Sequence, residues 1–304
     1  MLKRYDLHDG TIVPSENEES RILVFVSPEK EEINFLTTRF SLDEHTLNSA
    51  LDQDELSRLE FESDHFCVIF KRPRNYSSVE QFLFKVSSFG LFVFKDKMII
   101  LISEDLPLFD GKQNYRVDSM IEVMLKIFYR SIAHFLQHLK VINMVSDEIE
   151  QKVNTSMENK FLIHMFTLEK SLVYYLNAIN SNAMVIEKIR NNAARIGLSQ
   201  ENIELLDDII IENNQCLKQT EIYSNIISSM MDARASIVNN NLNSLMKTLN
   251  ILTIAIMVPT FVVSAFSMNV AIPLQRNPFA FAIVMGLSAI ALFASLIFFK
   301  YKRW

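Results

Sequence analysis

Seven side chains near the C-terminus, Asn243, Asn250, Thr253, Met257, Thr260, Ser264 and Ser267, are spaced 7, 3, 4, 3, 4 and 3 residues apart. That rhythm of about 3.5 residues keeps a set of side chains on one side of a helix. Six of the seven carry an uncharged oxygen, and Asn269 adds another amide just beyond them. Uncharged amide and hydroxyl oxygens suit a cation that keeps part of its hydration shell, and Mg2+ is such a cation because it sheds water reluctantly. One helix cannot enclose a lumen, so a functional stripe requires several copies around an axis, a cyclic homo-oligomer. The bland reading is that small polar residues glue membrane helices together; the functional one is a water-lined surface, which intramembrane polarity ordinarily marks.

The element that carries the stripe has the length of a membrane span. No charged residue lies between Lys247 and Arg276, and residues 249–268 form 20 largely apolar positions, about 30 Å of helix. An outer loop over 269–277 follows, then a second uncharged span over 278–299 and a basic tail over 300–304. Lys247, Lys300, Lys302 and Arg303 flank the two spans against a lone Arg276 in the loop, which places both ends of the chain in the cytosol. Tyr301 and Trp304 are placed as interfacial anchors in contact with lipid.

Upstream, the 304-residue chain alternates charged and apolar residues as soluble proteins do, and with 49% hydrophobic residues it has ample material for a core. Residues 1–116 read as an α+β cytosolic domain. Runs at 21–26, 65–72 and 80–103 have the β-branched and aromatic character of strands, and 27–40 and 41–52 read as short helices. Residues 117–248 read as long helices leading into the first span, because Gly197 is their only glycine and they hold no proline. "GLSQEN" at 197–202 marks the clearest break, with Gly197 as a C-cap and Ser199 as an N-cap.

Several chemistries find no support. A net charge of −6 without a basic block argues against nucleic acid as a partner. Five glycines, at 10, 90, 111, 197 and 286, write neither a P-loop nor a dinucleotide fingerprint, so nucleotide-driven transport and a nucleotide cofactor are not expected. Cys67 and Cys216 stand far apart, which suits a reducing compartment, and the N-terminus lacks the apolar core of a signal peptide. His134 and His138 stand four apart on a helix, a spacing more often used for packing than for a metal. No local motif indicates an enzyme. Asp232 is the acid nearest the first span on its helix, and Asp52, Asp54 and Glu55 are possible partners from a neighbouring copy.

Taken together, an N-terminal α/β domain, a long helix into the first of two C-terminal spans, Met268-Asn269 at the end of that span and a basic tip resemble the CorA family of magnesium transporters. The resemblance covers essentially the whole chain and is most specific over "NNLNSLMKTLNILTIAIMVPTFVVSAFSMNV". It implies a homopentameric, cytosol-facing funnel in the cell membrane that passes divalent cations down their gradient without ATP. It implies an ion-receiving ring at Asn269 within Ser267-Met268-Asn269, where Ser267 replaces the glycine of the family's Gly-Met-Asn signature and Phe266 stands where a Tyr is common. Pore-lining roles fall by resemblance on Asn243, Met246, Leu249, Thr253, Met257, Thr260 and Ser264. This set shares five positions with the stripe and differs on whether Leu249 or Asn250 points inward. Asp232 is implied in an inter-subunit regulatory Mg2+ site that favours the closed state. The outer loop departs from the family's pattern, having no acid and adding Arg276, five copies of which would repel a cation. Mg2+ uptake is therefore the leading expectation, with Zn2+, Co2+ or Ni2+ transport, or a non-conducting regulatory homologue, as alternatives.

Overall fold

The computed structural model describes residues 1–76, 82–109, 117–155, 159–270, 273 and 277–302. Glu80 and Gln81 of the third expected strand run, and Arg276, Arg303 and Trp304, lie outside the described residues. The chain divides into two compact units, Met1–Met231 and Asp232–Trp304.

The first unit is built on one seven-stranded sheet. Its strands are β1 (Leu2–His8), β2 (Thr11–Pro14), β3 (Ile22–Val26), β4 (Arg58–Phe61), β5 (His65–Pro73), β6 (Val86–Phe94) and β7 (Met98–Ile102), in the spatial order β2-β1-β3-β7-β6-β5-β4. β3 and β7 run parallel, with Val24 opposite Ile100, and the other neighbours are antiparallel. β3 and β7, "ILVFV" and "MIILI", are buried along their whole length, as the continuous apolar runs of a sheet covered on both faces require.

Alternation along these strands feeds two cores. Leu23, Phe25, Ile99 and Leu101 face α1 (Lys30–Phe40) and α2 (Glu44–Leu51), where Leu36, Leu47 and Ala50 are fully buried. Ile22, Val24, Ile100 and Ile102 share the larger core with α3 (Met120–Thr155), α4 (Asn159–Asn191) and the first part of α6 (Gln200–Phe266). Phe70 of β5 stacks on Phe128 of α3 with ring centroids 4.1 Å apart, and Phe135 of α3 meets Tyr175 of α4 edge-on. Asn182 of α4 completes the attachment. Its amide donates to the Lys71 carbonyl at 2.9 Å, while its oxygen accepts from the Lys71 N–H at 2.9 Å and from the Ser57 hydroxyl at 2.7 Å.

The α+β reading of the N-terminal part holds, and the helices expected over 27–40 and 41–52 are α1 and α2. The division drawn at residue 116 differs from the observed one, because α3 and α4 share a core with the sheet and the compact unit runs to Met231. Strands β1, β2 and β4 lie outside the expected runs. The break at "GLSQEN" is present. Gly197 closes the short α5 (Ala193–Ile196) at φ 81°, a left-handed angle that suits a residue without Cβ, and Ser199 accepts from the Asn202 N–H at 3.2 Å.

In the second unit, α6 continues to Phe266 and α7 runs from Ala280 to Tyr301. Both are long and apolar enough to cross a membrane. The sequence places the end of the first span at Met268 and the second span over 278–299; the helix ends at Phe266, and at Ala280 and Tyr301, lie two residues away.

Candidate functional site

The candidate site is a surface of the second unit, and its geometry follows from which face of α6 meets α7. Ser288 of α7 is buried, and its hydroxyl makes a long hydrogen bond, 3.5 Å, to the Pro259 carbonyl of α6. Pro259 has no N–H, so at this turn the α6 ladder loses a bond. The half-buried residues of α6 recur with it, at Ile251, Ile254, Ala255, Val258, Val262 and Phe266. Their three-and-four spacing defines one packing face. On α7 the corresponding face carries Ala280, Val284, Ser288, Ala291, Leu292, Ser295 and Phe299, small residues alternating with large ones as closely approaching membrane helices require.

The polar stripe of α6 lies elsewhere. At about 100° per residue, Thr253, Met257, Thr260, Ser264 and Ser267 centre about 180° from the packing face, and all five are exposed. They are therefore not the glue of this helical pair. Exposed apolar residues border the stripe on both sides, Ile256 and Val263 on one and Phe261 on the other. Asn243, Met246, Leu249 and Asn250 are exposed too. Leu249 and Asn250 fall about equally far to either side of the stripe's centre, so the face does not choose between them.

Within the stripe, hydroxyl protons are directed back onto the helix. Thr253 Oγ1 donates to the Leu249 carbonyl at 2.8 Å and Thr260 Oγ1 to the Ile256 carbonyl at 2.7 Å. Each hydroxyl then presents lone pairs outward, the polarity a cation selects. Ser267 acts as a helix stop: its N–H and its hydroxyl both reach the Ser264 carbonyl, at 3.1 and 2.9 Å. The non-glycine residues with positive φ among those described are Asp9, Ser27, Ser41 and Phe82, so Ser267 holds no angle that needs glycine. Met268 and Asn269 follow, exposed.

Asp232 is exposed on α6. Of its suggested partners, Asp52 ends α2 and accepts the Asp54 N–H at 3.0 Å, and Glu55 is paired with Arg58. Among the described residues of one chain, no three His, Cys, Asp or Glu stand together as a metal would need, so a site using these acids depends on more than one copy. His134 and His138 have a packing role: His138 Nδ1 meets the Tyr175 hydroxyl at 2.6 Å and the two imidazoles lie 4.3 Å apart. Burial foremost, then the charges nearby, lowers both to about 4, which keeps them neutral. Cys67 and Cys216 are buried free thiols, and burial pushes Cys216 up to about 12.

The family model for CorA-like Mg2+ transporter proteins matches residues 17–303. The chain belongs to that family. A CorA-family relative, the cobalt/magnesium transport protein CorA of Methanocaldococcus jannaschii, is 23% identical over 316 residues, covering 97% of each chain. The complete structure of the CorA magnesium transporter from the same organism superposes with a TM-score of 0.83 at 19% identity, over 98% of this chain and 96% of that one. The full-length CmaX protein matches at 0.74 and 15% identity, over 100% and 98%. At these identities the two structures establish a shared fold. The chain is thus a CorA-type transporter by family, with the α+β unit, long helices and apolar helix pair that its sequence led us to expect.

Proposed function

We propose that the chain is a passive divalent-cation channel whose main cargo is Mg2+, taken up across the cell membrane. Five copies surround an axis, each contributing α6, with α7 outside and both chain ends in the cytosol. The observation that carries this reading is the exposed oxygen-bearing stripe of α6 on the face turned away from α7. In a ring, the apolar borders of the stripe, Ile256 and Val263 on one side and Phe261 on the other, would meet neighbouring copies, a head-to-tail contact that closes.

In this assembly Asn269 receives the hydrated ion at the outer mouth beside Ser267 and Met268. The ion then passes rings of Ser264, Thr260, Met257, Thr253, Leu249, Met246 and Asn243 towards the cytosol. Mg2+ keeps several of its waters, and uncharged oxygens in these rings would accept hydrogen bonds from that bound water. Cytosolic Mg2+ bound at Asp232 between copies, with Asp52, Asp54 or Glu55 of a neighbour as possible partners, favours the closed state. Co2+ is the alternative cargo, since the M. jannaschii relative is named for both ions.

The purified full-length chain in proteoliposomes, offered Mg2+, Co2+, Ni2+ and Zn2+ side by side, tests the proposal. Nucleotide-independent uptake driven by the gradient, fastest for Mg2+, is expected. Zn2+ ahead of Mg2+ would contradict the cargo. No flux of any ion with wild type, but flux on Ser267→Gly, would identify a lapsed channel retained as a regulatory homologue.

A further inference from the structure

The first unit holds a cavity that the ion path does not use. Among the described residues it is lined by the end of β5, the segment 106–108 and one face of α3. Arg72 on this wall is only 8% exposed. Its Nε donates to the Pro73 carbonyl at 3.1 Å, and Glu104, the acid whose charge acts on it, is paired with Arg74. Arg130 on the same wall donates to the Leu108 carbonyl. Neither guanidinium has a carboxylate partner among the described residues. His134 beside them is held neutral by burial and by the charge of Arg72. The remaining lining is mostly apolar, with Phe89, Leu106 and Ile127. Two guanidinium groups thus share one cavity wall, Arg72 nearly buried and Arg130 half-buried, and neither makes an ion pair there among the described residues; a nearly buried cation without a direct partner is disfavoured.

We propose that this cavity binds a small organic oxyanion, its carboxylate or phosphate group received by Arg72 and Arg130 and its apolar portion lying against Phe89 and Ile127. The planar guanidinium fork matches both head groups through paired N–H donors. The site stands apart from the transport reading, since it uses no residue of α6 or α7.

Thermal unfolding of the full-length chain in detergent, titrated with sodium butanoate or inorganic phosphate against sodium chloride at equal ionic strength, tests the site. A saturable rise in Tm of several degrees is expected with butanoate, lost in both Arg72→Met and Arg130→Gln. Anion-free Arg72→Met should unfold at or above the wild-type temperature, because a nearly buried charge without a direct ion-pair partner is gone. A rise with phosphate alone, lost in the same variants, would keep the oxyanion site and remove the apolar portion from it. No rise beyond that in chloride, or a rise that survives in both variants, would overturn the proposal.

Discussion

The two apolar helices of the second unit use hydroxyl side chains in opposite ways. On α7, Ser288 and Ser295 sit on the face that meets α6, and Ser288 bonds to the Pro259 carbonyl across the pair. On α6, Thr253, Thr260, Ser264 and Ser267 sit on the far side, exposed. Composition alone makes both helices apolar spans with some small polar residues, and position separates the hydroxyls that pack between the pair from those turned away from it. If the α6 hydroxyls had faced α7, the same residues would be membrane glue.

The sharpest break in this comparison is at the end of the stripe. Asn269→Ala should abolish Mg2+ uptake in proteoliposomes, a loss of at least about a hundredfold, while chemical cross-linking still shows the wild-type oligomer. Undiminished flux would remove ion capture from that residue. Next comes a matched pair: Thr260→Val should lower flux about tenfold, whereas Ser288→Ala should leave flux near wild type and cost about 0.5–1 kcal/mol of stability. Equal flux losses in the two would erase the distinction between the faces. A smaller effect is expected at Asp232→Ala, which should raise the cytosolic Mg2+ needed for inhibition by about three- to tenfold; an unchanged dose response would take regulation away from Asp232. Smallest is Ser267→Gly. Its backbone needs no glycine angle and its hydroxyl bond is one of two to Ser264, so flux should change by less than about twofold.

The stripe was legible because helical periodicity survives in one dimension. What it faces was not legible: the glue and water-lined readings differ only in where α7 packs, and no local pattern in 278–299 fixes that. In the first unit, β3, β5, β6 and β7 announced themselves as apolar runs. The hairpin of β1 and β2 had a signal of its own, Asp9-Gly10 between alternating segments, and both residues adopt positive φ, 50° and 75°. Charges within "LKRYDLH" masked it, since a strand whose side chains are half open to water along its length carries less apolar weight. The parallel pairing of β3 with β7 joins residues some 75 positions apart, which periodicity does not encode. Ser199 and Gly197 were readable because caps are local chemistry. Arg72 and Arg130 were not singled out, because a cavity between β5 and α3 exists only once both have folded.

The central claim is that the outward face of α6 is wet and the rest of the apolar surface is not. Single cysteines at Thr260 and Ser264, compared with cysteines at exposed apolar Phe261 and Ile290, test it in the reconstituted full-length chain. The native Cys67 and Cys216 are buried and give no background, their thiols pushed up by desolvation. A membrane-impermeant, positively charged thiol reagent should modify the Thr260→Cys and Ser264→Cys proteins and stop their Mg2+ uptake, leaving Phe261→Cys and Ile290→Cys unmodified and conducting. Equal labelling at all four positions, or labelling of the stripe with uptake intact, would contradict the account.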